Sequence, residues 1–183
     1  MGLFLDPYII GYVVTLKTLF YFLPIRFFGK IYHISLFEFA ELFSKKKFLL
    51  IKKNIFKLNI LSFSLLLIYM VLALTLGPFF YNLWTNYKYE LNFTLLLLIV
   101  FDAFLFIMRS SIITFFKSIN RYFIFGTSDL ILTIISTYVF YIVLHNQVSL
   151  NYAFFIIVLT SFISLIFSLI YFFYCFKNLK VNK

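Results

Sequence analysis

Long apolar runs separated by short polar stretches divide the chain into five segments, at 8–28, 58–81, 91–116, 122–144 and 151–176. Each holds roughly the ~20 residues that a helix needs to cross a hydrocarbon core. A helix satisfies its own backbone hydrogen bonds in that medium, so the pattern predicts an all-α integral membrane protein with five spans in a single membrane domain, residues 1–183. The connection 31–57 has a different pattern. Phe48, Ile51, Ile55 and Leu58 recur at three- and four-residue intervals, while Lys45, Lys46, Lys52, Lys53 and Lys57 fall on the other side. That periodicity predicts a basic amphipathic hinge, a helix lying in the headgroup layer before the chain turns into the bilayer. His33, Glu38 and Glu41 interrupt the aromatics that precede it, and no helix breaker follows Gly29, so the first helix is expected to run on toward the hinge. Gly77-Pro78 is expected to end the second span. Phe79, Phe80, Tyr81 and Trp84 follow as an interfacial aromatic belt.

Composition supports the class, since 64% of the 183 residues are hydrophobic and 12% are charged. A soluble domain of this size could not keep so much apolar surface from water. The net charge of +10 lies in the connections rather than along a folded face, which excludes nucleic acid as the partner and points to anionic lipid headgroups. The stretch SKKKFLLIKKNIFK alone carries six of the sixteen basic residues. Short Lys/Arg-rich connections stay on the cytoplasmic side, so the hinge fixes the orientation with the N-terminus out and the C-terminus in. Under that arrangement fourteen basic residues, including Arg26, Lys30, Lys117, Arg121, Lys177, Lys180 and Lys183, lie inside or near it, and only Lys88 is clearly outside. MGLFLDPYII has no basic n-region and places Asp6 early, unlike a secretory signal. Cys175 is the only cysteine, so neither an intrachain disulfide nor a cysteine-based zinc site can form.

Four ionisable residues fall within the predicted spans: Lys17, Asp102, Arg109 and Asp129. An unpaired charge at a helix centre costs on the order of 3 kcal/mol or more, so each is a candidate site residue. At about 1.5 Å per residue, Lys17 and Asp102 lie ~14 and ~16 Å below the outer ends of their helices, and Arg109 and Asp129 are level with one another on antiparallel neighbours. One reading makes them two neutral pairs, Lys17 with Asp102 and Arg109 with Asp129, that hold helices in register. The other has Lys17 and Arg109 facing a water-filled cavity and binding phosphate oxygens through charge-assisted hydrogen bonds. His33 and His145 lie at membrane edges without a second ligand at metal spacing and are interfacial polar residues on this pattern. The serines at 62, 64, 110, 111, 136, 161, 164 and 168 are helix-packing groups rather than nucleophiles. The sequence offers no phosphate loop, no HExxH and no acidic metal-binding pair, so neither an enzyme nor a cofactor or metal is expected.

The order of these features resembles the C-terminal lobe of the polysaccharide (O-antigen type) flippases, in the multidrug/oligosaccharidyl-lipid/polysaccharide exporter superfamily. Four stretches carry the resemblance: DPYIIGYVVTLKTLFYFL, SLFEFAELFSKKKFLLIKKNIFK, LGPFFYNLWTNYKYE and ITFFKSINRYFIFGTSDLILTIIS. The family has twelve or more spans in two pseudo-symmetric lobes, and this chain would supply the last five, with a missing N-terminal lobe or a partner subunit completing the transporter. The resemblance implies a location in the inner (cytoplasmic) membrane and a polyprenyl-diphosphate-linked oligosaccharide as substrate, flipped to the outer leaflet for surface polysaccharide biosynthesis. Lys17 and Arg109 would then receive the diphosphate, with Asp102 and Asp129 as their partners, in a groove open toward the absent lobe. The alternatives are a small membrane scaffold or subunit with no transport activity of its own, and a truncated, inactive product.

Overall fold

A computed structural model of the protein describes residues 7–145 and 149–181. Residues 1–6, residues 146–148 between the fourth and fifth predicted spans, and the tail residue Lys183 lie outside the described residues, as do the side chains of His145, Lys177 and Lys180. The described chain is helical apart from short turns: α1 (Pro7–Lys17), a π-helical turn (Thr18–Phe22), α2 (Leu23–Ser44), α3 (Phe48–Thr75), α4 (Gly77–Thr85), α5 (Phe93–Ser118), α6 (Phe123–His145) and α7 (Leu150–Val181). Five of the resulting helices are long and apolar enough to cross a membrane, the first being the continuous stretch Pro7–Ser44.

The π-helical turn has a local cause. Pro24 carries no N–H, so the ordinary bond from position 24 to the Phe20 carbonyl cannot form. That carbonyl instead accepts a hydrogen bond from the Tyr69 hydroxyl of α3 at 2.9 Å. One wider turn relieves the clash and lets the helix continue.

The hinge differs from its predicted form. The basic stretch turns tightly at Lys45–Lys47 and enters α3 directly, and Ile51, Ile55 and Leu58 are buried in the protein core rather than left for headgroups. The helical periodicity is real, but the apolar face packs inside a helical hairpin. Lys46 takes the left-handed conformation (φ 54°). Its amide donates to Phe43 O at 3.0 Å and the next amide, of Lys47, to Leu42 O at 2.9 Å. This pair of bonds is the Schellman termination, and it recurs at Asn86 after α4 and at Asn120 after α5.

Gly77-Pro78 also departs from expectation. The pair ends α3 but starts α4 at once, because proline suits the first turn of a helix. On α4, Phe79, Phe80 and Trp84 are exposed, whereas Tyr81 is fully buried.

α5 is the central element, packed against α7, α2 and α3, while α6 packs mainly on α7 and leaves most of its surface open. Two apolar cores form along it. One gathers Phe28, Phe39, Ile51, Leu66, Phe115 and Phe116 near the basic turn. The other gathers Leu16, Phe20, Tyr81, Leu96, Val100 and Phe154 toward the opposite end. Tyr32 stitches the first together, its hydroxyl donating to Ile107 O at 2.9 Å and lying 3.0 Å from Ser62 Oγ. Asn92 anchors the start of α5. Its side chain accepts from the Leu95 amide at 3.2 Å, and its own amide donates to the Tyr12 hydroxyl at 2.8 Å.

Candidate functional site

Asp102 and Arg109 stand seven residues apart on α5, two turns along nearly the same face, where the two apolar cores meet. Both are buried, with 4% and 7% of their surface exposed. α7 runs beside them with serines at the same spacing. Ser161 donates to Asp102 Oδ1 at 2.5 Å, and Arg109 Nε donates to Ser168 Oγ at 2.9 Å. The sequence offset is the same in both contacts, as two parallel helices in register require. Ser164, one turn before Ser168, lies 3.4 Å from Asp129 Oδ1. These serines therefore solvate the membrane charges from within the protein, a role beyond the packing expected of them.

Arg109 and Asp129 form an ion pair through Nη2 and Oδ1. Lys17 lies at the junction of α1 and the π-helical turn, half-buried. Its ammonium sits 5.3 Å from the ring centre of Phe154 and 5.7 Å from that of Tyr21, close enough for cation–π attraction. Among the described residues Lys17 and Asp102 make no ion pair with one another.

All four charges line one cavity of about 330 Å³, between the first helix and α6 with α5 and α7 beneath. Thr133, Ser136, Thr160 and Ser161 add hydroxyls to its wall. A second cavity of about 360 Å³ continues toward the basic turn, lined by His33, Ser110, Thr114 and Lys117 among others. Phe106, Arg109 and Asp129 belong to both, so the ion pair stands where the two cavities adjoin. His33, read from the sequence as an interfacial residue, is exposed and packs edge-on against Phe37 at 5.2 Å. Lys117 lies over the Tyr122 ring at 4.9 Å.

The four charges of the first cavity balance to zero when all are ionised. The second cavity adds the charge of Lys117 to the same ion pair, so the positive balance increases toward the basic turn. Such a site can hold an anionic group if Lys17 turns to it and if Arg109 exchanges its carboxylate for another oxygen acid. No protein-family profile, curated protein or solved structure was found to match this chain.

Proposed function

We propose that the protein is one bundle of a membrane flippase, moving polyprenyl-diphosphate-linked oligosaccharide from the cytoplasmic to the outer leaflet, with Lys17 and Arg109 receiving the diphosphate. The observation that carries this reading is the assembly of all four intramembrane charges on one cavity wall, with Arg109 paired to Asp129 but Lys17 in no ion pair with Asp102. A scaffold would gain most from full neutralisation, because each charge left without a partner in low dielectric is a cost. Here Lys17 is held by aromatic rings instead, free to exchange them for a phosphate oxygen. The resemblance in sequence order supplies the substrate class, and the basic connections supply the orientation, N-terminus out and C-terminus in. A second bundle would face the cavity from the open side, since alternating access rocks one bundle against another around a central site.

The Arg109–Asp129 pair by itself favours the scaffold reading, and one experiment separates the two. In cells that depend on the full-length protein, Lys17→Gln should keep protein abundance while lipid-linked oligosaccharide accumulates on the inner leaflet. Normal surface polysaccharide in that variant at normal abundance would overturn the flippase reading and leave the scaffold.

A further inference from the structure

The face of α5 turned away from the charges carries a second site. Phe104, Met108 and Ile112 recur at four-residue intervals and floor a groove of about 600 Å³ between α3 and α7. Its walls are apolar, formed by Phe56 and Phe63 of α3 and Leu165 and Leu169 of α7. Asn59 is the uncharged polar residue that reaches the groove. Its amide donates to Ile55 O at 3.0 Å, and its oxygen accepts from Ser111 Oγ at 2.5 Å, so its oxygen and one N–H are engaged within the protein.

The end near the basic turn is different. Lys52 and Lys53 line it, both exposed, and none of the described residues that line the groove is acidic. They lie at the N-terminal end of α3, whose first-turn amides receive no side-chain cap from Lys47 and which therefore presents the positive pole of the helix dipole. From Leu49 to Phe63 the groove follows α3 for about 21 Å. One leaflet of hydrocarbon is about 15 Å deep, so that length takes an acyl chain together with its glycerol and phosphate.

We infer that this groove binds one anionic glycerophospholipid, its acyl chain along Phe56, Phe63 and Leu165 and its phosphate on Lys52 and Lys53. The one-signed polar end selects the headgroup: a phosphodiester without an amine gains from both lysines, whereas a zwitterionic headgroup brings a cation of its own beside them. The site shares no lining residue with the charged cavity, so it stands independently of the flippase reading.

The test uses the full chain reconstituted in phosphatidylcholine vesicles, with Trp84→Phe removing the native indole and Phe173→Trp placing a reporter on the groove wall. Phosphatidylglycerol with brominated acyl chains, at low mole fraction, should quench the reporter with an apparent affinity about tenfold above that of brominated phosphatidylcholine. Lys52→Ala with Lys53→Ala should abolish the preference, and Lys45→Ala with Lys46→Ala, equally basic positions off the groove, should retain it. Equal quenching by the two lipids would overturn the proposal, as would a preference that survives loss of Lys52 and Lys53. Protection of the reporter from both lipids, increasing with protein density, would assign the groove to a second copy of the chain instead.

Discussion

Arg109 of α5 donates to Asp129 of α6 across the point where two membrane cavities adjoin, and the ion pair forms part of the wall of both. The guanidinium is nearly enclosed, while the carboxylate keeps 30% of its side-chain surface open. Removing the arginine alone leaves a carboxylate facing low dielectric.

Arg109→Ala should therefore lower stability by about 3 kcal/mol, and adding Asp129→Ala should recover most of that loss. Unfolding in detergent, followed by near-ultraviolet circular dichroism, measures both. A double variant no more stable than the single one would mean that the pair contributes nothing to folding.

The five spans were legible in the sequence because hydropathy is local: a run of twenty apolar residues is enough to specify a membrane helix. The charges were legible for the same reason, since Asp102 and Arg109 are conspicuous among apolar neighbours and their depth follows from helix rise alone. Their serine partners were named only as packing groups, not as partners of the charges. Ser161 and Ser168 repeat the seven-residue spacing of Asp102 and Arg109, but that match has meaning only once α5 and α7 are known to be adjacent and parallel. The hinge was read with the right period and the wrong neighbour, because Ile51 and Ile55 face apolar surroundings either way and periodicity does not distinguish lipid from protein. The π-helical turn was out of reach. Pro24 announces a disturbance, but the form it takes depends on Tyr69, forty-nine residues away from the carbonyl it serves.

The buried carboxylate of Asp102 depends on its hydroxyl donor. Ser161→Ala should cost about 1–3 kcal/mol, since the oxygen it serves would lose its bond in a nearly closed site. Asp102→Asn should make the same serine change milder, because a neutral amide demands less. Equal losses in the two backgrounds would show that the hydroxyl does not serve the charge.

Lys46 occupies a left-handed position that glycine adopts without steric cost. Lys46→Gly should stabilise the hairpin by about 1 kcal/mol, the order of the strain that a side chain suffers there. Lys46→Ala, which retains the strain, serves as the control. A glycine variant no more stable than the alanine one would argue against the Schellman geometry.

Orientation can be tested at the tips of two Schellman turns, Lys46 and Asn86, both exposed. In a Cys175→Ser background, Asn86→Cys should react with an impermeant maleimide added to intact cells, and Lys46→Cys should react only after lysis. The excess of basic residues on the hinge side sets this expectation. Reaction of Lys46→Cys in intact cells would invert the orientation and, with it, the direction of transport proposed above.

The first helix reaches the charged cavity through its wide turn, which lies between Lys17 and Pro24. A π turn takes one residue more than an α turn and so rotates everything before it relative to everything after, which makes the placement of Lys17 depend on that turn. Tyr69→Phe removes the hydroxyl that serves the Phe20 carbonyl and should cost about 1 kcal/mol. Pro24→Ala supplies a backbone N–H that can claim the same carbonyl in an ordinary α-helical bond, so Tyr69→Phe should cost less in that background. The difference between the two costs is a coupling energy, expected to be about 0.5 kcal/mol or more and measurable in a double-mutant cycle of unfolding midpoints. Pro24→Ala should also withdraw Lys17 from Phe154, since closing the turn rotates α1 about its axis. In a Trp84→Phe background, Phe154→Trp reports this directly: Lys17→Gln should change its emission with Pro24 present and leave it nearly unchanged with Pro24→Ala. An equal change in both, together with zero coupling between Tyr69 and Pro24, would remove the wide turn as the element that positions Lys17.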